Sequence, residues 1–179
     1  MGYVELHCHS AYSFLDGASQ PEELAARAAD LGYEALALTD HDGVYGSLEF
    51  AHAAKAVGLR PITGTEVTLE GGAHVTLLVE TPRGYANLCR LLTEAHAGTR
   101  PKEGADPLPP ELPLESLLAN ADGLVCLSGC ARHGLGTKNI DHHRTGDLTT
   151  LFDSLSGRTK ALAKMAPFNS AFISSSMLV

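Results

Sequence analysis

His7 and His9 flank Cys8 at the end of a short apolar run, and Thr39-Asp40-His41-Asp42 and Gly64-Thr65-Glu66 follow downstream. Side chains alternate along a strand with period two, so His7 and His9 project from one face, close enough to share or bridge a metal ion. Imidazole and carboxylate donors suit Zn²⁺, Mn²⁺ or Fe²⁺ without choosing among them. Several ions in one site would also need bridging carboxylates, for which Glu66 and Asp16 are available.

The elements that must position these groups read as alternating strands and helices. Val4 to His9 is the first strand. Ser19-Gln20-Pro21-Glu22 then spells a capping box before a helix over Glu22 to Leu31, stopped by Gly32. Ala35 to Thr39 is a buried apolar strand, and a helix over about Ser47 to Val57 places Leu48, Ala51 and Ala54 on its inner face. Arg60 to Thr68 and His74 to Glu80 read as strands three and four. Thr81 caps a helix with Pro82 at its first position and Leu88, Leu91, Leu92 and Ala95 as its inner stripe. The proline-rich stretch from Thr99 to Pro113 is a loop, Leu114 to Asn120 a short helix, and Leu124 to Ser128 strand five. On this scaffold His7, His9, Asp40, His41, Glu66 and the residues Ser128 to Cys130 all fall at the carboxyl ends of strands taken to be parallel. Open α/β sheets and α/β barrels place their sites at that rim.

Composition narrows the setting. The chain has 179 residues, 44% of them hydrophobic and 19% charged, enough for one domain with a core. No stretch approaches the roughly 20 apolar residues of a membrane span, and the first ten residues do not read as a signal peptide. A cytoplasmic protein with no membrane partner is expected. With a formal charge of −8 and only 13 Lys plus Arg, strong nucleic-acid binding by this segment alone is not expected. Four cysteines in strand-like or helix-like segments do not form a secreted disulfide framework.

The ordered set His7-x-His9, Asp16-Gly17-Ala18, Thr39-Asp40-His41, Gly64-Thr65-Glu66-Val67, the His74-led strand and Leu127-Ser128-Gly129-Cys130 resembles the polymerase and histidinol phosphatase (PHP) domain. Tyr12-Ser13-Phe14-Leu15-Asp16-Gly17-Ala18 and Asn87-Leu88-Cys89-Arg90-Leu91-Leu92-Thr93 are similar to the amino-terminal PHP domain of bacterial C-family DNA polymerases, the DNA polymerase III alpha type. The loop from Ala95 to Pro113 and the run Cys126 to Gly134 lean toward the error-prone polymerase branch. The resemblance covers about Tyr3 to Gly134 and implies a distorted (β/α)₇ barrel whose rim binds up to three divalent metal ions. It places ligands on His7, His9, Asp16, His41, Glu66, His74 and Cys130. The family's last two ligands, an Asp-x-His, have no clear counterpart; Asp141-His142-His143 has the spacing but follows Cys130 too closely.

Plainer readings stand beside these. Asp16-Gly17 is a common turn pair, His74 a residue that can face solvent, and Cys130 a residue that can simply be buried. Asp40 either orients a ligand imidazole or caps a strand end. Cys8, Cys89 and Cys126 are assigned to packing, and His52, His96, His133, His142 and His143 to solvated or satisfied histidines. After Gly136 the sequence turns Ser- and Thr-rich and loses periodicity, so residues 1–136 are expected to be the PHP portion and 137–179 an atypical tail, as a truncation or frameshift would leave. About five of the barrel's strands would then be present, leaving an open edge.

Clustered divalent ions lower the pKa of a bound water and neutralise charge on a phosphoryl oxygen, so the implied chemistry is phosphoester hydrolysis of a phosphomonoester or a DNA 3′ end. Three functions follow. The first is the amino-terminal part of an error-prone DNA polymerase, partnered with DNA through the whole enzyme and inactive in synthesis by itself. The others are a free-standing metal-dependent phosphoesterase and a non-catalytic structural module.

Overall fold

The structure, a computed structural model, describes residues 3–100, 105–128 and 134. Its elements are β1 (Val4–Cys8), α1 (Pro21–Asp30), β2 (Ala35–Leu38), α2 (Ser47–Ala56), β3 (Arg60–Thr68), β4 (His74–Val79), α3 (Pro82–Ala95), α4 (Leu114–Ala119) and β5 (Leu124–Leu127). The strands form one five-stranded sheet in the order β1-β2-β3-β4-β5, an incomplete α/β barrel as expected. Asp141, His142, His143 and the proposed tail over 137–179 lie outside the described residues, as does Cys130.

The expectation of parallel strands holds for only part of the sheet. β1 pairs parallel with β2, and β2 with β3, but β3–β4 and β4–β5 are antiparallel. The reason is the length of the connection. Residues 69–73 are all that separates β3 from β4, whereas a parallel crossover needs a dozen residues or more. The reversal moves His74, the first residue of β4, to the rim that holds the carboxyl ends of β1, β2 and β3, where it pairs with Thr68.

Two apolar cores flank the sheet. Under β1 and β2, α1 and α2 bury Leu24, Ala28, Leu36, Leu38, Phe50 and Ala54. Under β4 and β5, α3 and α4 contribute Leu88, Leu91 and Leu117, which pack with Val67, Val75 and Leu77. The α3 stripe of Leu88, Leu91, Leu92 and Ala95 is buried as its spacing predicts, and the Thr81 hydroxyl caps the helix by accepting from the Gly84 N–H at 3.1 Å.

α2 departs from its predicted face: Phe50 and Ala54 are buried, whereas Leu48 is 68% exposed. The large Phe50 ring, with Ala54 one turn on, takes the inner stripe and turns Leu48 to solvent. At the start of α1 the cap is Gln20 rather than Ser19, with the Glu23 carboxylate accepting from the Gln20 N–H at 2.9 Å. β1 is irregular, its register to β2 shifting between Glu5 and Cys8. There the Glu5 carboxylate accepts from the N–H groups of Leu6 and His7 at 3.0 and 3.1 Å.

Candidate metal centre

Four strand ends and one loop supply the site. His7 lies on β1 and His9 just beyond it, His41 follows β2, Glu66 lies on β3, and His74 opens β4. Backbone pairing continues past β2, with the Asp42 N–H donating to the Glu66 carbonyl at 2.8 Å, which fixes His41 beside Glu66. Asp16 arrives on the loop between β1 and α1. That loop is tied to itself, since the Ala11 N–H donates to the Ser19 carbonyl at 2.8 Å and the N–H groups of Asp16 and Gly17 donate to the Ser13 carbonyl at 3.0 and 2.8 Å. A Cβ on Gly17 would stand 1.9 Å from the Ser10 carbonyl oxygen, so only glycine lets the turn close this tightly.

Asp40 holds this loop. Its carboxylate is buried and accepts from the Ser10 N–H at 2.7 Å, the Ser10 hydroxyl at 2.8 Å and the Ser13 hydroxyl at 2.7 Å. The Ser13 hydroxyl in turn accepts from the His41 N–H at 3.1 Å. Among the described residues Asp40 has no hydrogen bond to an imidazole: it positions the backbone on which Asp16 and His41 sit, not a ligand ring. Thr39 and Thr65 complete the buried polar frame, Thr65 donating to the Asp40 carbonyl at 2.8 Å. The sequence motifs include Ser13 and Thr65 but assign no role to them or to Ser10. Their signal was the concentration of hydroxyl residues beside each charged candidate.

Glu66 is the hub, with its side chain only 2% exposed. One carboxylate oxygen is in contact with His7 Nε2 and lies 3.7 Å from His9 Nε2. The other lies 2.7 Å from His74 Nδ1 and 3.5 Å from His41 Nδ1. Asp16 closes the outer side, with one oxygen 2.5 Å from His9 Nδ1 and 3.1 Å from His41 Nε2. Three overlapping donor sets result: His7, His9 and Glu66; His9, Asp16 and His41; and His41, Glu66 and His74, with ligand atoms within 4.8 Å of one another in each. Six of the seven residues singled out from the sequence are thus brought together; the seventh, Cys130, lies outside the described residues.

Burial opposes charge on Glu66, but the imidazoles of His7, His9 and His74 outweigh it and hold the carboxyl far below the usual range. Asp16 is likewise held down, its partial burial overcome by His9 and His41. For His9, burial favours the neutral ring, yet Glu66 and Asp16 prevail and raise its pKa above the ordinary value.

Other candidates fall away from the site. Cys8 and Cys126 are buried in the two apolar cores, and burial pushes both thiols up to about 12. They are packing groups, as expected. His52 is exposed. His96 is partly buried and within 2.7 Å of the Asp42 carbonyl through Nε2, so it braces the strand end after His41 from the end of α3.

The fit of this arrangement to metal ions has one direct test. His9 Nε2 is buried and finds no hydrogen-bond partner among the described residues, an arrangement that costs free energy unless another group completes it. That nitrogen lies 3.7 Å from the Glu66 carboxylate on a ring flanked by His7 and His41, a setting that fits a divalent cation in both position and charge.

The PHP domain family model matches residues 5–174. An error-prone DNA polymerase of Symbiobacterium thermophilum is 50% identical over 142 residues, covering 74% of this chain and 13% of the polymerase. One from Cutibacterium acnes is 42% identical over 149 residues with the same coverage, 74% and 13%. The chain therefore spans about one eighth of the length of these curated relatives. Among solved structures, a candidate metal-dependent phosphoesterase from Bifidobacterium adolescentis overlaps 54% of this chain and 34% of its own, at 27% identity and a TM-score of 0.45.

Proposed function

The chain belongs to the PHP domain family, and from that membership and the cluster around Glu66 we propose that its rim binds divalent metal ions and supports phosphoester hydrolysis. Zn²⁺, Mn²⁺ and Fe²⁺ all suit the donor set, and its three overlapping groups accommodate up to three ions. We further propose that the chain represents the amino-terminal portion of an error-prone DNA polymerase, a cytoplasmic enzyme that meets DNA mainly through its other parts. Residues 1–136 form its PHP portion and 137–179 a separate tail, although the family match runs on to residue 174. Cys130 is proposed as the seventh ligand.

The observation that carries this reading is the buried Glu66 carboxylate faced by four imidazoles, with Asp16 joining two of them on the open side. Bound ions would supply Lewis acidity and an activated water. The residues do the rest. His7, His9 and Glu66 would form the inner donor set, and His41 and His74 the opposite one. Asp16, 56% exposed, stands where a substrate would enter. Asp40, through Ser10 and Ser13, holds the entering loop in register.

Metal-free protein titrated with micromolar Mn²⁺ or Zn²⁺ should take up ions to a limit of three per chain and gain hydrolysis of bis(p-nitrophenyl) phosphate. A protein that takes up metal and melts higher but hydrolyses nothing would favour the structural module. The second reading has support of its own, since the same side chains join the ends of β1, β2, β3 and β4.

A further inference from the structure

Two loops meet at the open side of the centre, and neither carries a cation. The β1–α1 loop brings Asp16 and the β2–α2 loop brings His41, whose facing atoms are 3.1 Å apart. No lysine or arginine occurs in residues 9–20, 39–46 or 69–73, the described rim segments. A phosphoester bound there would find no side-chain cation on these loops to hold the remainder of the molecule.

What the loops display instead is apolar and aromatic. Phe14 is 86% exposed, two residues before Asp16, and Tyr45 is 62% exposed, four residues after His41. Neither is loosely presented. The turn bearing Phe14 is pinned through Ser10 and Ser13 to the buried Asp40 carboxylate. It also forces Leu15 to φ 68°, a left-handed conformation uncommon for leucine. The Tyr45 ring lies on the backbone of Gly43, where a Cβ would stand 2.1 Å from Cε2. Both rings are thus held in water on anchored loops that also carry Asp16 and His41, and the Phe14 turn in addition carries the left-handed Leu15.

We propose that Phe14 and Tyr45 are specificity-determining residues that take the planar base of a nucleotide phosphoester by stacking. The phosphate end of this assignment rests on the phosphoester reading above; the base end rests on the two rings. Aromatic platforms hold bases through their π-faces, a contact that needs no side-chain cation, and these two loops carry no lysine or arginine.

The test compares thymidine 5′-monophosphate with inorganic phosphate by calorimetric titration of the full chain loaded with Zn²⁺. The wild type should bind the nucleotide about tenfold more tightly than phosphate, and Phe14→Ala and Tyr45→Ala should each cut that ratio severalfold. Phe14→Tyr and Tyr45→Phe should restore it. Val57→Ala, which trims an exposed side chain beyond the far end of α2, should leave the ratio as it was. The chain contains no tryptophan, so Phe14→Trp adds a single fluorophore whose saturable quenching by the nucleotide reports stacking without reference to catalysis. A wild-type ratio near one, a ratio that survives both alanine variants, or no saturable nucleotide binding would overturn the proposal. Loss of bis(p-nitrophenyl) phosphate hydrolysis with the ratio intact would instead overturn the hydrolytic reading and leave the platform standing.

Discussion

The two halves of the sheet are built on different terms. In the parallel half, β1, β2 and β3 end at a rim framed by buried Ser10, Ser13, Thr39, Asp40 and Thr65, and the core beneath uses many alanines, among them Ala25, Ala28 and Ala54. In the antiparallel half, β4 and β5 lie over a leucine-rich core sealed by α3 and α4. Polar order sits on the first half and most of the large apolar burial on the second. β3 belongs to both, and Glu66 lies on it. The comparison teaches that the centre sits at a seam: the parallel half holds two of the three donor sets, the third needs His74 from the antiparallel half, and the shared strand carries the carboxylate that faces both.

The seam is broken most directly at Glu66. Glu66→Gln keeps the volume and removes the charge that faces four imidazoles, so metal content and any metal-stimulated hydrolysis should fall by more than about a hundredfold. Elemental analysis after dialysis checks this, and a variant that keeps its metal would remove Glu66 from the ligand set.

Next come the cores. Phe50→Ala in the parallel half should cost about 3–5 kcal/mol and Leu91→Ala in the antiparallel half about 2–5 kcal/mol, since both side chains are fully buried. Denaturant melts of the single and double variants measure how separate the halves are. Additivity within about 0.5 kcal/mol is expected for residues in different clusters, and a larger interaction would mean that β3 transmits packing between them.

Asp40→Asn strikes only the parallel half. Weakening an acceptor that serves three donors should cost about 1–3 kcal/mol. By loosening the Asp16 loop it should also reduce metal affinity about 10–100-fold. Hydrogen exchange should show lost protection at residues 10–19 and unchanged protection in α3.

The smallest effect is one of pH, and its sign reverses with metal. In metal-free protein the raised pKa of His9 gives stability that is present below about pH 6.5 and lost as pH rises through the folded value. The lowered pKa values of Glu66 and Asp16 give stability that is present above the usual carboxylate range and lost only in acid. The melting temperature in chelator should therefore fall between pH 6 and 8. The increment from added Zn²⁺ should grow over the same interval, because imidazoles bind metal only when unprotonated. A metal increment that shrinks as pH rises would argue against histidine ligation.

Much of this was legible in the sequence because strand ends and helix stripes are local patterns. His7-x-His9, Thr81-Pro82 and the Leu88-Leu91-Leu92-Ala95 stripe needed nothing beyond spacing. The orientation of β4 was legible too, in the five residues of the connection 69–73, but an alternation of strands and helices obscured it. What could not be read locally was the choice between competing partners. Leu48 and Phe50 both fit an apolar face, and only the packing of α2 against α1 and β3 selects the ring. Asp40 had two plausible roles, and the decision depended on the β1–α1 loop folding back over it, thirty residues distant in sequence. His96, read as solvated or satisfied, proved to brace Asp42 from a helix end 54 residues away.

The short connection between β3 and β4 also bears on time. Glu66 and His74 are eight residues apart in sequence, whereas His7 lies 59 residues from Glu66. Hairpins close in about 1–10 μs, and parallel crossovers, which must pay for long loops first, come later. On refolding, a carboxylate and one imidazole should therefore meet early as a weak partial site, and the remaining rings should arrive with the last strands to dock. Ions added to the buffer should then do little to hasten refolding and should mainly lengthen the lifetime of the folded chain.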